Sequence, residues 1–332
     1  MPLPLLVGLG IVAAVGSTIS GASKMNDAKE TAERAEQMQR RNKEKLDEEY
    51  DKTNNLLEEL GKKEIEITKN FDGYIEEIKK IAKYKFHEYE KDGVKLPYCN
   101  MEELETSSIK ATELYSDMVS LGAGVIAGFA TYGLTNVITD SIGKNIGGDL
   151  AMTAGISVVG ETTINAGLAA IGGGALAAGG GGIALGSLIV STGVGALVGG
   201  AVFNHQGTKC QEKANDMWHM AKKNETLIND ICKKYEELQN YTSSYLNSLD
   251  IVNELYNIYL EDMTLLIETN KIWSNYSEEE KLIINNTTLL VQLLYSMCKV
   301  NIALKLNDDT FVVNKDGIDD MLHKTDKILM EL

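Results

Sequence analysis

A chain of 332 residues has room for one large or two ordinary domains. It contains three prolines, and aromatic residues make up 6%; with abundant Lys, Glu, Leu and Ile, this composition predicts an all-α protein of long, coiled-coil-like helices. A formal charge of −16 repels phosphates and anionic headgroups alike, which argues against a nucleic-acid partner and against membrane adsorption through a basic surface.

Pro2 to Ala22 form an apolar opening segment, with no Lys or Arg before Lys24. A secretory signal would begin with a positive region, so an uncleaved membrane segment is the better reading and secretion the lesser one. From Ser23 to about Asp92 the text is charged and helix-favouring. Met25, Ala28, Ala32, Ala35, Leu46, Tyr50, Leu57, Leu60, Ile67, Phe71, Tyr74, Ile78 and Ile81 recur at steps that fit a heptad stripe. Asn42, Thr53 and Glu64 interrupt the seam, and Gly61, followed by two lysines, is a candidate hinge. Pro97 marks the connector from Asp92 to Tyr98, because it disfavours helix in the residue before it. A short helix around Met101 to Tyr115 follows.

Met118 to Phe203 is the stretch around which the rest is arranged. Its densest part runs from Ala169 to Gly186, and no charged residue lies between Glu161 and Lys209. Ordinary soluble helices keep a polar face, and roughly 20 apolar residues suffice to cross a bilayer. Glycine inside a helix costs roughly 1 kcal/mol relative to alanine, so it belongs where two backbones come close. The pairs Gly124 and Gly128, Gly182 and Gly186, and Gly195 and Gly199 have the small-xxx-small spacing of helices packed in lipid. Three spans are long enough to matter: Met118 to Ile138, Leu150 to Ile171, and Ala175 to Phe203. Asp140, Lys144 and Asp149 lie in the linker between the first two, and Glu161 lies within the second. Ionisable residues at membrane depth mark functional sites; in a soluble bundle Glu161 would simply face water.

A second long helix, from about Gln211 to Thr269, carries another heptad stripe and matches the first in length. Two such helices flanking one apolar block suggest an antiparallel stalk with the block at its tip. Ser277 and Glu280 fit a capping box. The helix after them is apolar on one side, through Leu282, Ile283, Leu289, Leu290, Leu293, Leu294, Met297 and Val300. Thr310-Phe-Val-Val313 is a short β-like run, and an amphipathic helix closes the chain from Ile318 to Leu332. The chain thus divides into an apolar segment at 1–22, a long helix and connector at 23–117, the Gly/Ala block at 118–206 and a C-terminal helical segment at 207–332.

Little here carries reaction chemistry. Cys99, Cys210, Cys232 and Cys298 are far apart, the four histidines are scattered, and neither a P-loop nor HExxH occurs. Gly122-Ala-Gly124 with Gly128, and Gly193-Val-Gly195 with Gly199, lack the strand and βαβ setting of a dinucleotide site. No enzyme activity, cofactor or metal is expected. The opening Met1-Pro-Leu-Pro-Leu-Leu, the run from Gly172 to Gly182 and Leu294-Tyr-Ser-Met-Cys-Lys299 resemble a widespread bacterial family of Gly-rich helical proteins without an assigned function. The plan of long helices around an apolar hairpin also resembles helical pore-forming toxins and apolipoprotein-L-like proteins, in architecture alone. The resulting expectation is a bacterial membrane-active protein, pore-forming or membrane-perturbing, whose partners are the lipid bilayer and further copies of itself. It would reside in the cytoplasm or at the inner membrane. The alternatives are a membrane-attached coiled-coil scaffold and a soluble bundle that binds a protein partner.

Overall fold

The computed structural model describes residues 19–85, 90–91, 94–96, 100–117, 210–307 and 310–332. The fold is all-α. Helix α1 spans Ile19–Lys69, α2 Phe71–Ile78, α3 Met101–Asp117, α4 Cys210–Thr269, α5 Glu278–Met297 and α6 Lys315–Leu329. Two small antiparallel hairpins accompany them: β1 (Glu90–Lys91) with β2 (Val94–Lys95), and β3 (Ala303–Asn307) with β4 (Thr310–Val313).

The two long helices, of 51 and 60 residues, would be about 75 and 90 Å long at 1.5 Å per residue. They lie side by side and run parallel. Asn224 Nδ2 donates to Gln39 Oε1 at 3.3 Å, and Lys45 Nζ to Asn229 Oδ1 at 2.8 Å. Further along, Gln239 Nε2 reaches Thr53 Oγ1 at 2.9 Å, Lys63 pairs with Asp250 at 2.7 Å, and Tyr256 OH donates to Asn70 O at 3.1 Å. The numbers climb together on both helices, so the antiparallel stalk inferred from matched lengths is corrected. Matched heptad stripes fit either direction. The crossover segment between α1 and α4 is too long to impose a hairpin.

Gly61 is buried inside α1, which continues across it without a break. α1 thus shows no break at the candidate hinge Gly61. Leu57, Leu60, Glu64 and Ile65 are buried on either side of it, and that packing outweighs the roughly 1 kcal/mol that glycine costs a helix interior. The interruption falls instead at Asn70. There the carbonyl of Lys69 accepts from Ser108 Oγ at 2.9 Å, and that of Asn70 from Tyr256 OH. Two carbonyls at the break are thus satisfied from neighbouring helices, as a buried helix end requires.

Around the C-terminal halves of α1 and α4 the remaining elements form a head. α5 lies antiparallel to α4, with Thr287 Oγ1 donating to Tyr259 O and Tyr245 OH to Met297 O. Phe71 meets Tyr256 edge-on at 6.3 Å and Tyr295 at 6.5 Å. Tyr74 donates to Thr288 Oγ1, which also shares a hydrogen bond with Tyr84 OH. α6 is tied to α4 through Lys315 and Glu237. From Leu290 to Cys298 every residue of α5 and its C-cap is buried, so this helix is the centre of the head. Its start is fixed locally: Ser277 N donates to Glu280 Oε2 at 2.7 Å and Glu280 N to Ser277 Oγ at 3.2 Å. Leu282, expected on the apolar side, is exposed. Thr310–Val313 is a strand, as its composition suggested, and pairs with a segment that the preceding helix text concealed.

Candidate functional site

The parallel pairing determines where the unusual segments attach. Ala28 and Ala214, and Ala35 and Ala221, are separated by the same number of positions as Asn70 and Tyr256, and all four alanines are buried. Extended to the helix starts, this register brings Cys210 level with the first turns of α1. The apolar opening segment enters α1 at Ile19, and the Gly/Ala block enters α4 at Cys210. Both therefore join the described fold at one end of the helix pair.

The other end of the block leaves from the head. α3 runs antiparallel to the end of α1: Lys79 pairs with Glu105 at 2.8 Å, Ser108 bonds Lys69 O, and Lys69 Nζ lies 4.2 Å from the Tyr115 ring centre. Asp117 ends α3 about 13 Å beyond Ser108 along the bundle. That leaves roughly 55 Å of α1 between the level of Asp117 and the end shared with Cys210.

Gly124, Gly128, Gly182, Gly186, Gly195, Gly199, Asp140, Lys144, Asp149 and Glu161 lie outside the described residues, as do Pro2 to Thr18. Among the named candidates only Gly61 is placed, inside α1. The site that can be built is therefore the shared helix end and the seam leading from it to the head.

That seam changes character along its length. Toward the shared end its buried positions are Ala28, Ala35, Ala214 and Ala221, followed by Asn42 and Asn224. Small side chains bury little apolar area, so this part of the seam gains least from burial; buried polar atoms without a partner occur along the whole seam, from Asn42 Nδ2 and Asn224 Oδ1 to Tyr235 OH and Thr242 Oγ1 nearer the head. Toward the head the seam fills with Ile228, Ile231, Tyr235, Leu238, Leu249 and Val252. The helix pair is accordingly held most firmly near the head and least firmly where the apolar segments join. Asparagine at such a position fixes register at a cost in stability.

Within the head, Glu64, Thr68, Tyr245 and Cys298 form a buried polar layer. Burial, reinforced by the Glu64 charge, pushes the Tyr245 phenol and the Cys298 thiol well above their ordinary ranges; the neighbouring Thr68 hydroxyl partly opposes this at Cys298. A thiol held un-ionised is a poor nucleophile. Burial likewise raises Tyr50 to about 12 and raises Tyr235 further, beside which Tyr50 packs edge-on at 6.5 Å. The layer joins α1, α4 and the C-cap of α5. Glu64 was visible in the sequence as a break in the apolar stripe; its neighbours on α4 and α5 were not, because they are distant in sequence.

Among the described residues no group of three His, Cys, Asp or Glu side chains could hold a metal ion. His219 is exposed on α4. No described helix is long and apolar enough to cross a membrane. Comparison with family models, curated proteins and solved structures finds no match. The resemblance carried by Met1 to Leu6, Gly172 to Gly182 and Leu294 to Lys299 therefore assigns no role to any residue.

Proposed function

We propose that this chain is a membrane-active helical protein whose two apolar segments, Pro2–Ala22 and the block at 118–206, enter the same bilayer. The head would stay outside, carried on the parallel pair α1 and α4. The observation that supports this reading is the parallel register, which attaches both segments to one end of the pair. An antiparallel pair would have separated them by the length of the stalk. Membrane entry is driven by apolar burial, worth roughly 25 cal/mol per Å², since the net charge of −16 opposes anionic headgroups. The glycine pairs then supply close helix contacts within lipid and a route to self-association. In this reading the protein perturbs or perforates a bacterial membrane, with no enzymatic step and no cofactor.

Carbonate extraction of a membrane fraction containing the full chain tests the proposal. Retention in the pellet, with dye release from vesicles on adding purified protein, is the expected result. Release of the protein into the supernatant together with intact vesicles would contradict it. A second reading, a membrane-attached coiled-coil scaffold, rests on the same two long helices. That reading predicts retention in the pellet without dye release.

A further inference from the structure

The level at which α3 ends limits which part of the Gly/Ala block can meet the bilayer. α3 runs toward the shared end beside α1, with Ser108 bonded to Lys69 O and Tyr115 against Lys69 Nζ, and stops at Asp117. The first apolar span, Met118 to Ile138, follows without a linker. Roughly 55 Å of α1 separates that level from the shared end, and a helical span of this length covers only about 31 Å. Fully extended chain covers at most about 3.6 Å per residue, so the descent consumes about 15 residues of the span. About six would be left, against the roughly 20 that a crossing helix needs. In neither form can the first span cross a bilayer entered at the shared end.

An apolar span kept out of lipid needs other cover, worth roughly 25 cal/mol per Å². The stripe of α1 that α3 already contacts provides it. Lys69, Ile65 and Gly61 lie on that stripe, and Asn54 and Tyr50 continue it at helical spacing toward the shared end. Ile65 and Gly61 are buried, while Asn54 and Tyr50 are half-buried. Asn54 Oδ1 and Tyr50 OH are themselves buried and have no hydrogen-bond partner among the described residues. Buried polar atoms are ordinarily paired, so both call for a group from outside those residues. Counted at helical rise from Ser108, which sits beside Lys69, Gly124 and Gly128 come level with this pair. Glycine there allows close approach and leaves backbone carbonyls open to the Tyr50 hydroxyl.

We propose that Met118–Ile138 packs lengthwise on this stripe as a third helix beside α1 and α4, and that bilayer entry within the block is confined to Leu150–Ile171 and Ala175–Phe203. The second part rests on the membrane reading above; the first is tested without lipid. After the third helix roughly 24 Å remain to the shared end, a distance that the linker from Thr139 to Asp149 can bridge.

The test uses the full chain with its four cysteines replaced by serine. Spin labels at Gln37→Cys and Asp140→Cys should lie roughly 15 to 25 Å apart in lipid-free buffer and with vesicles alike, as adjacent helices place them. A second pair, Glu44→Cys with Thr135→Cys, should give the same range; Gln37 and Glu44 are both exposed. Single labels at Ile126→Cys, Ile156→Cys and Ser187→Cys then report their surroundings through relaxation by oxygen, which partitions into lipid, and by a water-soluble nickel chelate. With vesicles of neutral phospholipid, the labels at 156 and 187 should favour oxygen, while the label at 126 should be shielded from both agents. Separations beyond about 30 Å in both pairs, or a label at 126 that favours oxygen as the others do, would overturn the proposal. Labels at 156 and 187 that never favour oxygen would overturn the second part together with the membrane reading, while short separations would still uphold the third helix.

Discussion

Burial governs the ionisable side chains of the bundle, and the consequence is a specific dependence on pH. Tyr235, Tyr245 and Tyr256 are all pushed above their ordinary range, chiefly by desolvation. Below the unfolded value of about 10 each phenol is protonated in both states, so the stabilisation it represents is fully present there. As pH rises further, the unfolded chain releases protons that the folded chain retains, and stability falls toward the folded values; Tyr50, at about 12, titrates within that range. Stability should therefore hold from neutral pH to about 10 and decline progressively above it. Tyr235 OH is buried without a hydrogen-bond partner, so Tyr235→Phe should raise the alkaline midpoint and cost little at pH 7. Tyr245 OH donates to Met297 O at 2.7 Å, so Tyr245→Phe should lower stability at pH 7 by about 1 kcal/mol. Urea titrations of the two variants make the comparison; equal effects at neutral pH would refute the distinction. Cys298 belongs to the same account. Its buried, un-ionised thiol should resist alkylation in the folded chain and react once urea unfolds it.

Among the helices and strands, what could be read from sequence depended on how local the determining contacts are. The capping box of α5 was legible because Ser277 and Glu280 are three residues apart and bond each other. Ser277→Ala should cost about 1 kcal/mol, measurable as a lower melting temperature; an unchanged melt would mean the cap is redundant. The interruption of the helix at Asn70 had no such signal. No proline or glycine stands there, and the partners of the freed carbonyls, Ser108 and Tyr256, come from distant elements. Gly61 looked like a break because propensity is local, whereas the packing that keeps α1 continuous is not. The direction of the α1–α4 pair was hidden for a related reason, since alternating apolar positions suit parallel and antiparallel seams equally. Asn42, Thr53 and Glu64 were rightly read as lying on the seam, and all three are buried. Thr53 is satisfied by Glu49 O and Gln239, while Asn42 Nδ2 has no partner. Replacing Asn42 with Leu should thus raise the melting temperature while loosening the choice of register; a lower melting temperature would mean that the amide is favourably bound after all.

At the scale of the whole molecule, the chain combines a well-packed head with a seam that thins toward the end where both apolar segments join. In the proposed membrane role, the end where the apolar segments join is the one that meets the bilayer. Replacing Gly182 and Gly186 together with Leu should reduce assembly in membranes, since close approach of helices needs small residues. Unchanged assembly would show that these glycines contact no helix. All of this rests on α1 and α4 running parallel. Spin labels at Glu30→Cys and Asp216→Cys, in a chain whose four native cysteines are replaced by serine, measure that directly. Both positions are exposed, and they occupy equivalent places in the shared register. The parallel pair predicts a separation of roughly 15 to 25 Å, the distance between adjacent helix axes plus the label arms. A separation beyond about 50 Å, the value for an antiparallel pair of these lengths, would contradict the account.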